Sequence, residues 1–131
     1  MRDLTLLTDF YQLTMMNGYL ECGTEDHIGV FDIFYRNAKG LNKAIACGLE
    51  QAVEWITNIK FTKEDVDYLR SLNAFSEEFL KKLENFKFSG DVYAVPEGTV
   101  VFPYEPILTV KAPMFEAQFL ETAILNIINH Q

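Results

Sequence analysis

The chain has 131 residues, room for one domain, and its 49% hydrophobic and 23% charged residues describe a folded globular protein, not a disordered one. Nineteen acidic residues against eleven lysines and arginines give a net charge of −8, which argues against nucleic-acid binding because phosphates are repelled. Mean hydropathy is +0.01, and no apolar run approaches the ~20 residues of a membrane span.

In chain order, the first periodic segment runs from about Thr8 to Leu20. Leu6, Phe10, Leu13, Asn17 and Leu20 fall on one helical face, and Tyr11, Met15 and Tyr19 form a second stripe. Thr8 is the expected N-cap and Gly23 the expected stop. A helix with two aromatic-bearing faces is expected to meet more than its own core. HIGVFDIFYR then reads as a strand centred on Phe31 to Arg36, with Val30, Asp32 and Phe34 on one side and Phe31, Ile33 and Tyr35 on the other. Residues 37–43 form a loop containing Gly40, and residues 44–47 a short strand. After Gly48, the spacing of Leu49, Ala52, Val53, Ile56 and Ile59 predicts an amphipathic helix.

Two short helices follow. Thr62 and Asp65 open one with a variant capping box, burying Val66, Leu69 and Leu72. Ser76, Glu77 and Glu78 open the next, where early carboxylates suit the positive end of the helix dipole and Phe79, Leu80, Leu83 and Phe86 form the buried face. Residues 90–113 carry all four prolines and many valines, which predicts short strands at edges or corners broken by turns, one of them at Pro96-Glu97-Gly98. A strongly apolar helix starts near Met114 and reaches the last residues with no glycine, lysine-rich turn or proline to end it. The expectation is therefore a single α+β domain over residues 1–131, cut from a longer protein within residues 114–131.

Chemistry-bearing residues are few. His27 and His130 have no nucleophile or carboxylate at readable spacing, and Cys22 and Cys47 lack zinc-site spacing and read as buried hydrophobes. Asp3 and Asp9 break the stretch where a signal peptide needs an apolar core, so a cytoplasmic location is expected. No glycine-rich phosphate loop is present. Three features invite a functional reading. TDFYQ, residues 8–12, crowds aromatic and polar groups into a first helical turn, where free N–H groups suit an anion and a ring can stack, or the aromatics simply pack. Arg36, at a strand end, can clamp a phosphate or form a surface ion pair. Glu97 and Glu105 could form a catalytic carboxylate pair, but their turns beside prolines favour solvated residues.

Taken together, LLTDFYQLTMMNGY (6–19), VFDIFYR (30–36), IACGLEQ (45–51), GDVYAVPEGTVVFPYEPILTVKAP (90–113) and EAQFLETAILNIINHQ (116–131) resemble the N-terminal segment of the nicotinate phosphoribosyltransferases. The stretches keep the family's order and cover nearly the whole chain. The resemblance implies an α/β-hammerhead-type N-terminal domain of a type II phosphoribosyltransferase, followed in the full protein by a barrel. It implies transfer of the phosphoribosyl group of phosphoribosyl pyrophosphate to nicotinate, giving nicotinate mononucleotide and pyrophosphate in NAD salvage. Turnover is coupled to ATP with Mg²⁺ through a phosphorylated histidine that lies beyond this chain, so neither His27 nor His130 takes that role. The resemblance also implies active sites shared across a homodimer.

Carried over by position, Tyr11 matches the aromatic that stacks on the pyridine ring in the partner subunit's site. Asp9 matches the neighbouring acid, which orients an arginine or caps the helix, since a carboxylate facing nicotinate would repel it. Arg36 matches an arginine that approaches the phosphates. No catalytic group and no metal ligand are expected within these residues, and the chain alone is expected to be inactive. The segment after Arg36 departs from the family: NAKGLNKAI (37–45) is one residue shorter than the usual KNPFGNGYAI and lacks its proline and second glycine, though Lys39 and Lys43 could supply compensating charge. Alternatives are the same scaffold acting on nicotinamide or quinolinate, or a non-catalytic hammerhead binding module. A carrier module needs a lysine at a hairpin tip, where this chain has Pro96-Glu97-Gly98.

Overall fold

The computed structural model describes residues 4–37 and 40–131, so Asp3 and Lys39 lie outside the described residues. The elements follow in the order α1 (Phe10–Cys22), β1 (Ile28–Ile33), β2 (Ala44–Ile45), α2 (Leu49–Asn58), α3 (Lys63–Ser71), α4 (Glu77–Glu84), β3 (Asp91–Ala94), β4 (Val100–Val101), β5 (Leu108–Pro113) and α5 (Met114–His130). This is the α+β domain that the sequence pattern predicts.

Helix α1 ends where Gly23 adopts φ 69°, and its N–H and that of Thr24 close back on the carbonyls of Leu20 and Tyr19 in a Schellman-type stop. Its start differs from expectation. Asp9, not Thr8, holds the N-cap position, and the Thr8 hydroxyl is buried without a hydrogen-bond partner. The buried face also differs: it is Gln12, Leu13 and Met16, whereas Phe10 is exposed. The short helices follow the capping logic closely. The Asp65 N–H donates to the Thr62 hydroxyl (3.1 Å) while the Thr62 N–H donates to the Asp65 carboxylate (2.7 Å), and the Phe79 N–H donates to the Ser76 hydroxyl (3.2 Å).

Strand β5 is the centre of an antiparallel sheet of order β1-β5-β3, contrary to the edge or corner role that the prolines suggested for this region. Its only proline, Pro113, is the final residue, where the strand hands over to α5 and no further ladder bond is required. Phe31, Val110 and Val92 pair across the three strands on the covered face, and Val30, Lys111 and Asp91 on the open one. The alternation expected for β1 is observed, but the strand stops at Ile33, short of Arg36. Strands β2 and β4 form a separate two-stranded ribbon, with Ala44 to Ile45 shorter than the stretch expected.

Helix α5 is the common support: α1, α2 and the sheet all pack on it. Its Phe119 is fully buried, with ring centroids 5.1 Å from Phe61, 5.6 Å from Phe86 and 6.0 Å from Trp55. Each such pair contributes on the order of 1 kcal/mol beyond area burial. Trp55 takes the buried position on α2 that the spacing assigned to Val53, which is exposed, as is Leu72 after α3. Val53 and Trp55 flank the Ala52 and Ile56 stripe on opposite sides, and the side that meets the core is that of Trp55, whose ring stacks on Phe119. Cys22, expected to be buried, is exposed at the end of α1. Among the described residues, no helix is long and apolar enough to cross a membrane.

Gly90 leads into β3 pressed against β5. A Cβ there would lie 2.5 Å from the Lys111 carbonyl oxygen and 2.4 Å from the Ala112 Cβ. Gly90→Ala is therefore expected to lower unfolding free energy by about 1–3 kcal/mol, read from the denaturant midpoint. An unshifted midpoint would show that β3 moves aside without loss.

Candidate functional site

The two sequence candidates near the N-terminus are held by α5. The Asp9 N–H donates to the Thr122 hydroxyl (3.4 Å), which itself donates to the Asp9 carboxylate (3.0 Å). Asp9 thus occupies the N-cap position without making a side-chain capping bond, and no arginine pairs with it among the described residues. Its carboxylate is bound to α5 instead.

Tyr11 is 47% exposed, so its ring is open to solvent and is not part of the core. Its hydroxyl donates to Glu121 Oε1 (3.3 Å) and accepts from Gln12 Nε2 (2.9 Å). Gln12 Nε2 also donates to Glu121 Oε2 (2.9 Å). Behind these groups, Gln118 Nε2 donates to Gln12 Oε1, and the Tyr19 hydroxyl donates to Gln118 Oε1 (3.0 Å). Loss of hydration at the phenol, then the charge and hydrogen bond of Glu121, then the charge of Asp9 push the Tyr11 hydroxyl above the ordinary tyrosine pKa. The neutral phenol is therefore the form favoured by the fold.

Arg36 stands three residues beyond the end of β1 and is exposed. The preceding Tyr35 is fixed twice: its hydroxyl donates to the Val101 carbonyl (3.3 Å), and its own carbonyl accepts from the Tyr104 N–H (2.9 Å). Arg36 lines a cleft of about 650 Å³ between the covered face of the sheet and α5. The floor is apolar, including Phe31, Ile33, Leu120 and Ile124, and Asp32, Glu121 and Asn129 share the lining with the guanidinium. No carboxylate of the described residues lies within ion-pair distance of Arg36, so the surface ion pair considered for it is not formed there. Tyr11 is not part of the cleft lining. Glu121 connects the two regions, lining the cleft and binding the Tyr11 hydroxyl.

The sequence does not single out Gln118 or Glu121, and it marks Gln12 only as the end of the TDFYQ stretch. The available signal was a polar side chain on a buried helical stripe: Gln12 beside Leu13 and Met16, and Gln118 between Phe115 and Phe119. Among the described residues, no group of three histidine, cysteine, aspartate or glutamate side chains could hold a metal ion, and His27 and His130 are exposed.

The carboxylate pair considered from sequence separates into two local roles. Glu105 accepts from the Phe102 N–H three residues earlier (2.9 Å). Glu97 stays exposed in its turn, as expected, yet it has partners of its own. Its carboxylate accepts from the N–H groups of Gly48 (2.5 Å) and Glu50 (3.1 Å), capping α2 from across the fold.

The sequence matches the nicotinate phosphoribosyltransferase (NAPRTase) N-terminal domain over residues 6–129. It is 44% identical over 130 residues to nicotinate phosphoribosyltransferase pncB2 of Mycobacterium tuberculosis, covering 96% of this chain and 27% of that protein. It is 41% identical over 129 residues to the nicotinate phosphoribosyltransferase of Bacillus subtilis, covering 98% of this chain and 26% of that one. The fold is similar to the crystal structure of human nicotinic acid phosphoribosyltransferase, with a TM-score of 0.83 and 32% identity over 92% of this chain and 25% of the human one. The chain spans about a quarter of the length of these relatives.

Removing the carboxylate that caps α2 leaves two N–H groups without a protein partner. Glu97→Ala is expected to cost about 1 kcal/mol of stability, and Glu105→Ala less, both measured by denaturant unfolding. Equal losses would reduce Glu97 to an ordinary turn residue.

Proposed function

The chain belongs to the nicotinate phosphoribosyltransferase N-terminal domain family, and from that premise we propose that it is the N-terminal part of an enzyme joining nicotinate to phosphoribosyl pyrophosphate. In that reaction the pyridine nitrogen attacks C1′ of the ribose, the C1′–N bond forms, and the C1′–oxygen bond to the departing pyrophosphate breaks. The products are nicotinate mononucleotide and pyrophosphate, in NAD salvage. The reacting atoms must be held in line, so the contribution of these residues is positioning.

Tyr11 stacks on the pyridine ring of a site completed by a second subunit, and Arg36 meets a phosphate group. The observation that carries this reading is the state of Tyr11: an aromatic side chain 47% exposed yet held at its hydroxyl, with a free surface for a flat ligand. An arginine without a carboxylate partner among the described residues supports the second role. Asp9 positions the start of α1 through Thr122 and does not meet nicotinate's carboxylate. A chain of net charge −8 needs cationic groups from elsewhere to bind pyrophosphate tightly, which favours a homodimer with shared sites and a downstream barrel that α5 leads toward. Mg²⁺ and ATP belong to that larger enzyme.

The test uses a protein of the relatives' length that carries this chain. Tyr11→Ala is expected to raise KM for nicotinate by about five- to tenfold, the loss of roughly 1 kcal/mol of stacking, with the unfolding midpoint nearly unchanged. An unchanged KM would return Tyr11 to a packing role. The 131-residue chain alone is expected to give no nicotinate mononucleotide from nicotinate, phosphoribosyl pyrophosphate and Mg-ATP.

A further inference from the structure

A tyrosine on an open helix surface ordinarily samples several rotamers, and a ligand that stacks on it must first order it. Tyr11 is held at its far end. Its hydroxyl lies between Glu121 Oε1 and Gln12 Nε2, and the Gln12 side chain behind it is fully buried. The direction of every bond in this chain follows from one charge. A carboxylate only accepts, so Gln12 must turn its amide nitrogen toward Glu121. That leaves Gln12 Oε1 facing Gln118, which must present its own nitrogen there and its oxygen to the Tyr19 hydroxyl. An apolar pair of equal volume would bury as well at this junction without any such demand. The polar chain instead fixes the geometry of its exposed end.

We propose that Gln12 and Glu121 are positioning residues for Tyr11, holding its phenol edge on α5 so that the free ring is already oriented for a flat aromatic ligand. The inference rests on the stacking role of Tyr11 proposed above. Neither residue touches the ligand. They act by removing the rotamer freedom that binding would otherwise have to quench. The charged groups around the phenol are Glu121 on α5 and Asp9 at the start of α1, and the second is itself tied to Thr122.

The experiment uses the same protein of the relatives' length, with ring-labelled tyrosine whose Tyr11 resonance is assigned by its loss in Tyr11→Phe. Glu121→Gln keeps the side-chain shape and removes the directing charge, and Gln12→Met removes both donors at similar volume. Both are expected to shift the Tyr11 ring resonance, and Glu121→Gln to move its ionisation down toward that of free tyrosine. Both are expected to raise KM for nicotinate by about two- to tenfold, the ordering of one side chain, with kcat changed less. Gln12→Met separates this effect from the Arg36 cleft, which Glu121 lines and Gln12 does not. Should Gln12→Met fail to fold, Glu121→Gln at the half-buried end of the chain decides by its resonance and KM. A folded Glu121→Gln protein with an unmoved Tyr11 resonance overturns the proposal, as does a shifted resonance with unchanged KM where Tyr11→Ala raises it. If Tyr11→Ala itself leaves KM unchanged while the resonance shifts, the stacking role fails and the tether stands alone.

Discussion

The join between the first and last helices is keyed by a buried amide contact, between Gln12 and Gln118, made across 106 residues of sequence. Both side chains are shut away from water, where an unmatched amide group costs on the order of 1–3 kcal/mol. Only one register of α1 on α5 satisfies them. Slide or rotate α1 and the two buried amides lose each other, at the cost of an unmatched polar group. Hydrophobic contacts such as Met16 and Leu13 hold the helix down, but they tolerate small shifts. The amides do not.

Because α5 also carries α2 and the sheet, that register places both ends of the candidate site on one support. Tyr11 reaches α5 through Glu121, and Arg36 reaches the same side chain's surroundings across the cleft from β1. Shape and charge then divide the labour. The domain offers a flat ring, an arginine without a carboxylate partner among the described residues and an apolar cleft, within a strongly acidic whole. Such a surface suits an aromatic ring better than a pyrophosphate, and it fits a partial contribution to a site better than a complete one.

Much of this was legible in the sequence. Every helix was found, because apolar periodicity and local caps such as Thr62 with Asp65 and Ser76 with Phe79 depend only on near neighbours. The alternation of β1 was readable for the same reason. What escaped notice is long-range. Thr8 looked like the better cap, but Asp9 took the position because Thr122 on α5 holds it there. Val53 had the right spacing, yet Trp55 won the core through its stack with Phe119. The prolines suggested an edge for β5, but Pro113 ends the strand and costs its centre nothing. At the site, Tyr11 and Arg36 stood out by type and motif. Their supports, Gln12, Gln118 and Glu121, have meaning only once two distant helices meet.

The carboxylate of Glu97 has a wider consequence. Gly48, in a left-handed turn just ahead of α2, has the form of a cradle in which a phosphate oxygen could be received by free backbone amides. Glu97 already sits in it. The turn between β3 and β4 therefore plugs an anion seat of its own molecule, and a phosphate arriving there must displace an acid held by two N–H groups. A fold this negative has closed one door to phosphate, while the guanidinium beyond β1 stays exposed and without a carboxylate partner among the described residues.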